Sequence, residues 1–98
     1  MRFRSTERAR SAPSPLPAAV VERWLVADLA KRLRRPAVEL AVDATFASFG
    51  IDSVEAVGMT GDLSDWLGWA LDPTVVFDFE TIAALASHVA ERDAQETL

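Results

Sequence analysis

The apolar residues Val21, Leu25, Leu29 and Leu33 recur at every fourth position, flanked by Trp24 and Val26 and separated by charged residues. That period places one apolar stripe on a helix running from about Leu16 to Leu33. Ser14-Pro15 has the form of a cap followed by proline at the first helical position, and Arg34-Arg35-Pro36 has the form of a stop. Basic residues in the last turn also suit the negative end of the helix. The helical period is then lost over residues 36–52, where Val38, Leu40, Val42, Phe46 and Phe49 are the apolar anchors of a long connection. Such a length is uncommon unless the loop is functional or contains a helical turn. One turn is expected near Ala44–Ser48, and Gly50 is expected to adopt a backbone angle that other residues resist.

The period returns from Ser53 to about Leu67. Ala56, Met59, Thr60, Leu63, Trp66 and Leu67 fall on one side, the expected core face, and Val54, Gly58, Gly61 and Asp65 on the other. A glycine inside a helix costs about 1 kcal/mol against alanine. Two on one outward stripe therefore call for a reason, either close approach of another surface or a helix held by its core face alone. Gly68 ends this segment as a C-terminal cap would. Asp72-Pro73 starts a short helix through about Phe77. Thr81 caps a last helix whose stripe is Ile82, Leu85, Ala86 and Val89, with fraying expected beyond Arg92. No alternating pattern of a strand appears, and no internal repeat. The chain is thus predicted to be an all-α bundle of three long helices and one short third helix, with a long loop between the first two. Residues 1–15, rich in Arg, Ser and Pro, are expected to be a disordered lead. Residues 16–92 form the expected domain, and 93–98 a frayed tail.

Composition narrows the function. Ninety-eight residues, half of them apolar, suffice for one domain with a small core. No apolar run approaches the length of a membrane span. Arg2, Arg4, Arg8 and Arg10 are not followed by the apolar block of a secretory signal, so the cytoplasm is the expected location. The chain reads as free-standing, and as a monomer. It has no cysteine, so disulfides and thiolate metal sites are excluded, and any thioester chemistry needs an imported thiol. The net charge of −5 is unevenly divided. Residues 1–35 hold nine basic and three acidic residues, and residues 36–98 hold one basic and twelve acidic, giving +6 and −11. An acidic second half argues against nucleic acid as a partner. It favours steering toward a basic protein surface, although a solvated acidic face explains much of it equally well.

The most distinctive chemistry lies at Phe46–Val57. Asp52 and Glu55 are spaced as a reciprocal helix cap, which makes Ser53 the first helical residue and leaves its hydroxyl uncommitted. Backbone N–H groups without intrahelical partners surround it at the positive end of the helix, a setting that suits a phosphate-bearing group.

Phe46, Phe49 and Gly50-Ile51-Asp52-Ser53-Val54 resemble the phosphopantetheine attachment region of acyl carrier proteins. Val75-Val76-Phe77 and Thr81-Ile82-Ala83-Ala84-Leu85 resemble the short third helix and fourth helix of polyketide-type carriers. The resemblance covers roughly residues 16–92. It implies a four-helix carrier bundle with 4′-phosphopantetheine esterified to Ser53, Asp52 as its flanking cap, and acyl groups carried as thioesters on the arm. It implies as partners a phosphopantetheinyl transferase, an acyl-AMP ligase or acyltransferase, and a ketosynthase or other acyl-processing enzyme. In this family the outward stripe after the serine meets those partners, which assigns partner contact to Val54, Glu55, Gly58, Gly61, Asp62 and Asp65. Peptidyl carriers usually have two glycines before the residue preceding the serine, which Phe49-Gly50-Ile51-Asp52 does not match. Carriers of fatty acid synthesis are commonly acidic throughout, unlike the +6 first third here.

Other chemistry is weaker. His88 is the only histidine, too few for a nitrogen-ligated metal site. As a base for a nucleophilic Ser53 it has no accompanying oxyanion-hole or serine-elbow motif, so the chain is expected not to be an enzyme. Asp62 and Asp65 belong to a helix surface rather than an acid–base pair. Trp69 is expected to seal the bundle rather than cover an acyl chain. The alternative function is a small acidic helical adaptor that binds a basic partner protein without a covalent cofactor.

Overall fold

The structure is a computed structural model and describes residues 10–96. It contains four helices: α1 (Ala18–Leu33), α2 (Ser53–Leu67), α3 (Val75–Asp78) and α4 (Ile82–Glu96). The expected all-α bundle, with a short third helix and a long loop after the first, is the architecture found. Among the described residues the only β pairing is an isolated antiparallel bridge between Thr45 and Thr81.

α1 packs chiefly along α4 and also against α2. The four-residue spacing of Val21, Leu25 and Leu29 buries all three completely. They meet Met59 and Leu63 of α2 and Ile82, Leu85, Ala86 and Val89 of α4 in one core. Trp66, expected in that core, is half-buried and stacks on Trp24 with ring centroids 5.5 Å apart. The two indoles close the seam between α1 and α2.

Helix ends follow local chemistry. Gly68, with φ of 83°, ends α2 and donates its N–H to Ser64 O. Thr81 Oγ1 accepts the N–H of Ala84 at 3.0 Å, as a cap of α4 should. The start of α1 differs from expectation. Ser14-Pro15 lies ahead of the helix, which begins after Pro17, a cap residue without a side-chain bond. Proline at 17 disfavours the helical region for Leu16, so the helix cannot begin there.

The long connection holds two 3₁₀ turns, Ala37–Glu39 and Ala47–Phe49, rather than one near Ala44–Ser48. Leu40, Phe46 and Phe49 anchor it in the core as expected, but Val38 is 91% exposed. It sits at the tip of the first turn, pointing away from the bundle.

Two boundaries move. The expected lead over residues 1–15 lies outside the described residues as far as position 9. From Arg10 onward it is packed: Ala12 and Leu16 are buried, and the N–H groups of Ser11 and Ala12 both donate to Trp66 O at 3.0 and 2.9 Å. At the other end, α4 continues past Arg92 to Glu96, and Asp93, expected in a frayed tail, is 2% exposed. An ion pair between Arg10 and Asp93 joins the two shifted ends.

Candidate functional site

Ser53 opens α2, and the elements before it are pinned from two sides. Phe46 N–H donates to Glu80 O at 2.8 Å, and Ala83 N–H to Val42 O at 2.9 Å. The loop is thereby tied to the junction of α3 and α4. Gly50 then turns the chain with φ of 80°, a left-handed angle that a side chain would strain. Asp52, in an extended conformation, accepts the N–H of Glu55 on Oδ1 at 2.9 Å. The cap is one-sided, since the Glu55 carboxylate does not return to the Asp52 N–H. Ser53 itself is exposed, and its hydroxyl is engaged by no other described residue. A hydroxyl at the positive end of a helix, with the capping role filled by its neighbour, fits a phosphodiester.

An open cleft of about 210 Å³ lies beside this serine, lined by Phe46, Ile51, Ser53, Ala56, Val76 and Phe77 among others. Thr45, Asp52 and Glu80 add polar groups to the lining, and three apolar side chains of α2 and α3 stand exposed in this part of the molecule. Val54 is 77% exposed, Phe77 67% and Val57 54%. Val57 follows Ser53 by one helical turn, and Phe77 comes from α3 across the cleft. Neither was assigned a role from the sequence. Both lie in apolar runs that the helical period alone does not resolve into core and surface.

The stripe expected to meet partners is divided. Val54, Gly61 and Asp65 are exposed on the outward face, with Glu55 half-buried at its edge. Gly61 faces open space, with no atom near the position of an added Cβ. Gly58 does not. A Cβ there would stand 2.6 Å from Nη1 of Arg32, whose guanidinium crosses the helix at that point. Arg32 donates through Nε to Asp28 at 2.7 Å and through Nη2 to Asp62. A side chain at Gly58 would have to displace the end of Arg32, and Asp62, still 57% exposed, pairs with that same guanidinium. The Asp28–Arg32 spacing of four residues was visible in the sequence, but its reach to α2 was not.

At the other end of α2 is a second polar cluster. Arg10 donates from Nη1 and Nη2 to the two carboxylate oxygens of Asp93 at 2.6 and 2.9 Å. It also donates to the carbonyls of Leu67, Ala12 and Pro13 at 3.0, 3.0 and 2.7 Å. Asp93 Oδ1 accepts the indole N–H of Trp69 at 2.7 Å. The Arg10 hydrogen bonds hold the Asp93 carboxyl below its ordinary pKa, outweighing the opposing effect of burial, with Trp69 adding to the depression. Trp69, with Arg92 over its ring, seals the bundle here.

His88 stacks on Phe79, with ring centroids 4.1 Å apart, and does not line the cleft at Ser53. No cluster of three metal-ligating side chains occurs among the described residues, and none of their helices is long and apolar enough to cross a membrane.

Comparison with known proteins gives a consistent picture. Residues 23–89 match the family model described as a phosphopantetheine attachment site. The chain is 39% identical over 70 residues, 71% of its length, to polyketide synthase PksM of Bacillus subtilis, of which it spans only 2%. It is 32% identical over 72 residues to acyl carrier protein TtuC of Teredinibacter turnerae, covering 74% of this chain and 83% of that protein. Among solved structures it resembles a free-standing peptidyl carrier protein from an Acinetobacter baumannii secondary metabolic pathway. The TM-score is 0.74 at 32% identity, with 76% of this chain and 94% of that one covered.

Proposed function

Because the chain belongs to the phosphopantetheine attachment-site family, we propose that Ser53 is its modified residue and that it serves as an acyl carrier in polyketide or related secondary-metabolite assembly. The observation that carries the site is the exposed Ser53 at the first position of α2, with the cap held by Asp52. When bound, the arm supplies a terminal thiol, which a chain with no cysteine otherwise lacks.

The protein's own residues then do three things. Ser53 Oγ would hold the arm through a phosphoester bond. The unpaired N–H groups of the first turn of α2 face that phosphate and favour its negative charge. The rigid loop, tied down through Phe46 and Val42, keeps the attachment point fixed while the cargo moves between enzymes. Carriers of this family are in general non-catalytic, and this chain is proposed to act the same way, raising the effective concentration of the acyl group at each partner.

The partners proposed are a phosphopantetheinyl transferase, a loading ligase or acyltransferase, and a ketosynthase-type enzyme, met in the cytoplasm. Their docking face is read as Val54, Val57, Gly61 and Phe77 around Ser53, with Glu55 and Asp65 at its margin. Gly58 and Asp62, also assigned to it, meet Arg32 of α1 as well. The peptidyl carrier likeness leaves room for an aminoacyl cargo.

Co-expression with a broad-specificity phosphopantetheinyl transferase and intact-mass measurement tests the reading. The wild-type chain is expected to gain the mass of the arm and Ser53→Ala to keep the apo mass. A wild-type protein that stays apo, or a variant that is still modified, overturns it.

A further inference from the structure

We propose that Arg10 and Asp93 are positioning residues: they clamp residues 10–16 onto the bundle as a strap and fix the point where the chain joins it at the pole opposite Ser53. Neither residue falls within the 23–89 segment that matches the family model.

Its geometry is complete on every side. The carboxylate of Asp93, 3% exposed, takes two bonds from Arg10 and one from Trp69. The guanidinium of Arg10 reaches the last carbonyl of α2, at Leu67, and bends the strap around itself through Ala12 O and Pro13 O. The strap backbone is tied separately, by the two N–H groups of Ser11 and Ala12 on Trp66 O. Ala12 and Leu16 are buried beneath it. Three elements distant in sequence thus meet at one arginine: the strap, the C-terminal end of α2 and the last turns of α4.

Ser53 is the first residue of α2 and Leu67 the last. At 1.5 Å per residue the helix separates them by about 20 Å. With the strap held at Leu67, Arg10 itself stands about one helix length from the attachment serine, and residues 10–16 leave the face that partners must approach uncovered. Without it, the first anchored point would recede to the start of α1 and residues 10–16 would be free to sweep across the bundle. The inference rests on the Ser53 reading only for the meaning given to that pole, since the strap itself is tested without any modification.

The test uses the full chain, whose lack of cysteine permits clean labelling. Spin labels on Ser11→Cys and Ser53→Cys report the pole-to-pole distance, with and without Arg10→Ala. A single narrow distribution is expected in the parent, replaced by a broad one in Arg10→Ala while the helical circular dichroism is retained. Hydrogen exchange of the Ser11 and Ala12 amides is expected to accelerate by about tenfold or more in the same variant, the change that even one of the five lost hydrogen bonds of Arg10 would give. If Arg10→Ala loses its helical signal, Asp93→Asn is read in its place. It removes the charge but keeps the shape. A distribution that is broad in the parent, or equally narrow in parent and folded variant, overturns the proposal. Transferase modification of the label-free Arg10→Ala protein is scored in parallel. Its outcome reports on Ser53 alone and leaves the distance result to decide the strap.

Discussion

The two ends of α2 are built in opposite ways. At its N-terminal end Val54 and Val57 are left in the open, and Ser53 and Phe77 line an open cleft. At its C-terminal end a carboxylate and a guanidinium are enclosed, and the arginine alone donates five hydrogen bonds. The first end leaves apolar area exposed that folding would otherwise bury, which is what the proposed docking face requires. The second satisfies its polar groups internally, the arrangement under which a buried charge is tolerated. A carrier has to be adaptable at one end and fixed at the other, and here one helix links the two.

Four changes would break or sharpen that contrast. The largest effect is expected at the open end, where Ser53→Ala should abolish mass gain from the transferase entirely while leaving the melting curve unchanged, because Asp52 holds the cap. Intact mass and thermal unfolding read the two halves of that statement.

At the closed end, Asp93→Ala should cost about 3 kcal/mol, the usual scale for orphaning one member of a buried pair. Denaturant unfolding monitored at Trp69 would measure it. The same residue sets an acid limb. The native pKa of Asp93 lies below the ordinary value of 3.8, so the unfolded chain takes up the proton first. The stabilisation is full above that ordinary value and is lost as pH falls from it through the native one. Asp93→Asn should flatten stability against pH in that window and leave it parallel to wild type at neutral pH. An unchanged acid limb would show that Arg10 gains little from the charge.

A smaller effect is expected from Phe77→Ala. Two-thirds exposed, the ring contributes little to folding, so stability should move by less than about 1 kcal/mol. Acyl transfer to a cognate enzyme should nonetheless slow about tenfold or more, as for loss of an aromatic anchor at an interface. Transfer at wild-type rate would move the docking face elsewhere on the bundle.

The smallest is a pair of glycine replacements. Gly61→Ala enters open space and should gain up to about 1 kcal/mol of helix stability. Gly58→Ala must push the Arg32 guanidinium aside and should gain less. Equal gains in thermal unfolding would mean that Arg32 yields freely.

Much of this was legible in the sequence because it depends on local chemistry. The cap at Asp52, the turn at Gly50, the ends at Gly68 and Thr81, and the stripes of α2 and α4 each follow from residues within a few positions of one another. The four-helix architecture and the attachment region were readable for that reason. What escaped depends on contacts far apart in the chain. Arg10 meets Asp93 across 83 positions and Arg32 meets Asp62 across 30. Nothing near either arginine distinguishes it from a solvated one. The arginine-rich start therefore looked like a lead, Asp93 like part of a fraying tail, and Gly58 and Asp62 like partner contacts alone. Val57 and Phe77 were missed for a different reason, since an apolar residue left exposed for a partner has the same sequence signature as one in the core.

The guanidinium lying over Gly58 bears on how carriers can be recombined. The face of α2 looks like a cassette that could be moved between proteins as residues 53–67. In this chain it is not self-contained. Moved alone, it would bring a bare glycine and a carboxylate lacking its cation, and the host would keep an α1 that has no arginine to offer them. The unit that can be transplanted is the pair of helices, with Asp28 and Arg32 travelling alongside Gly58 and Asp62.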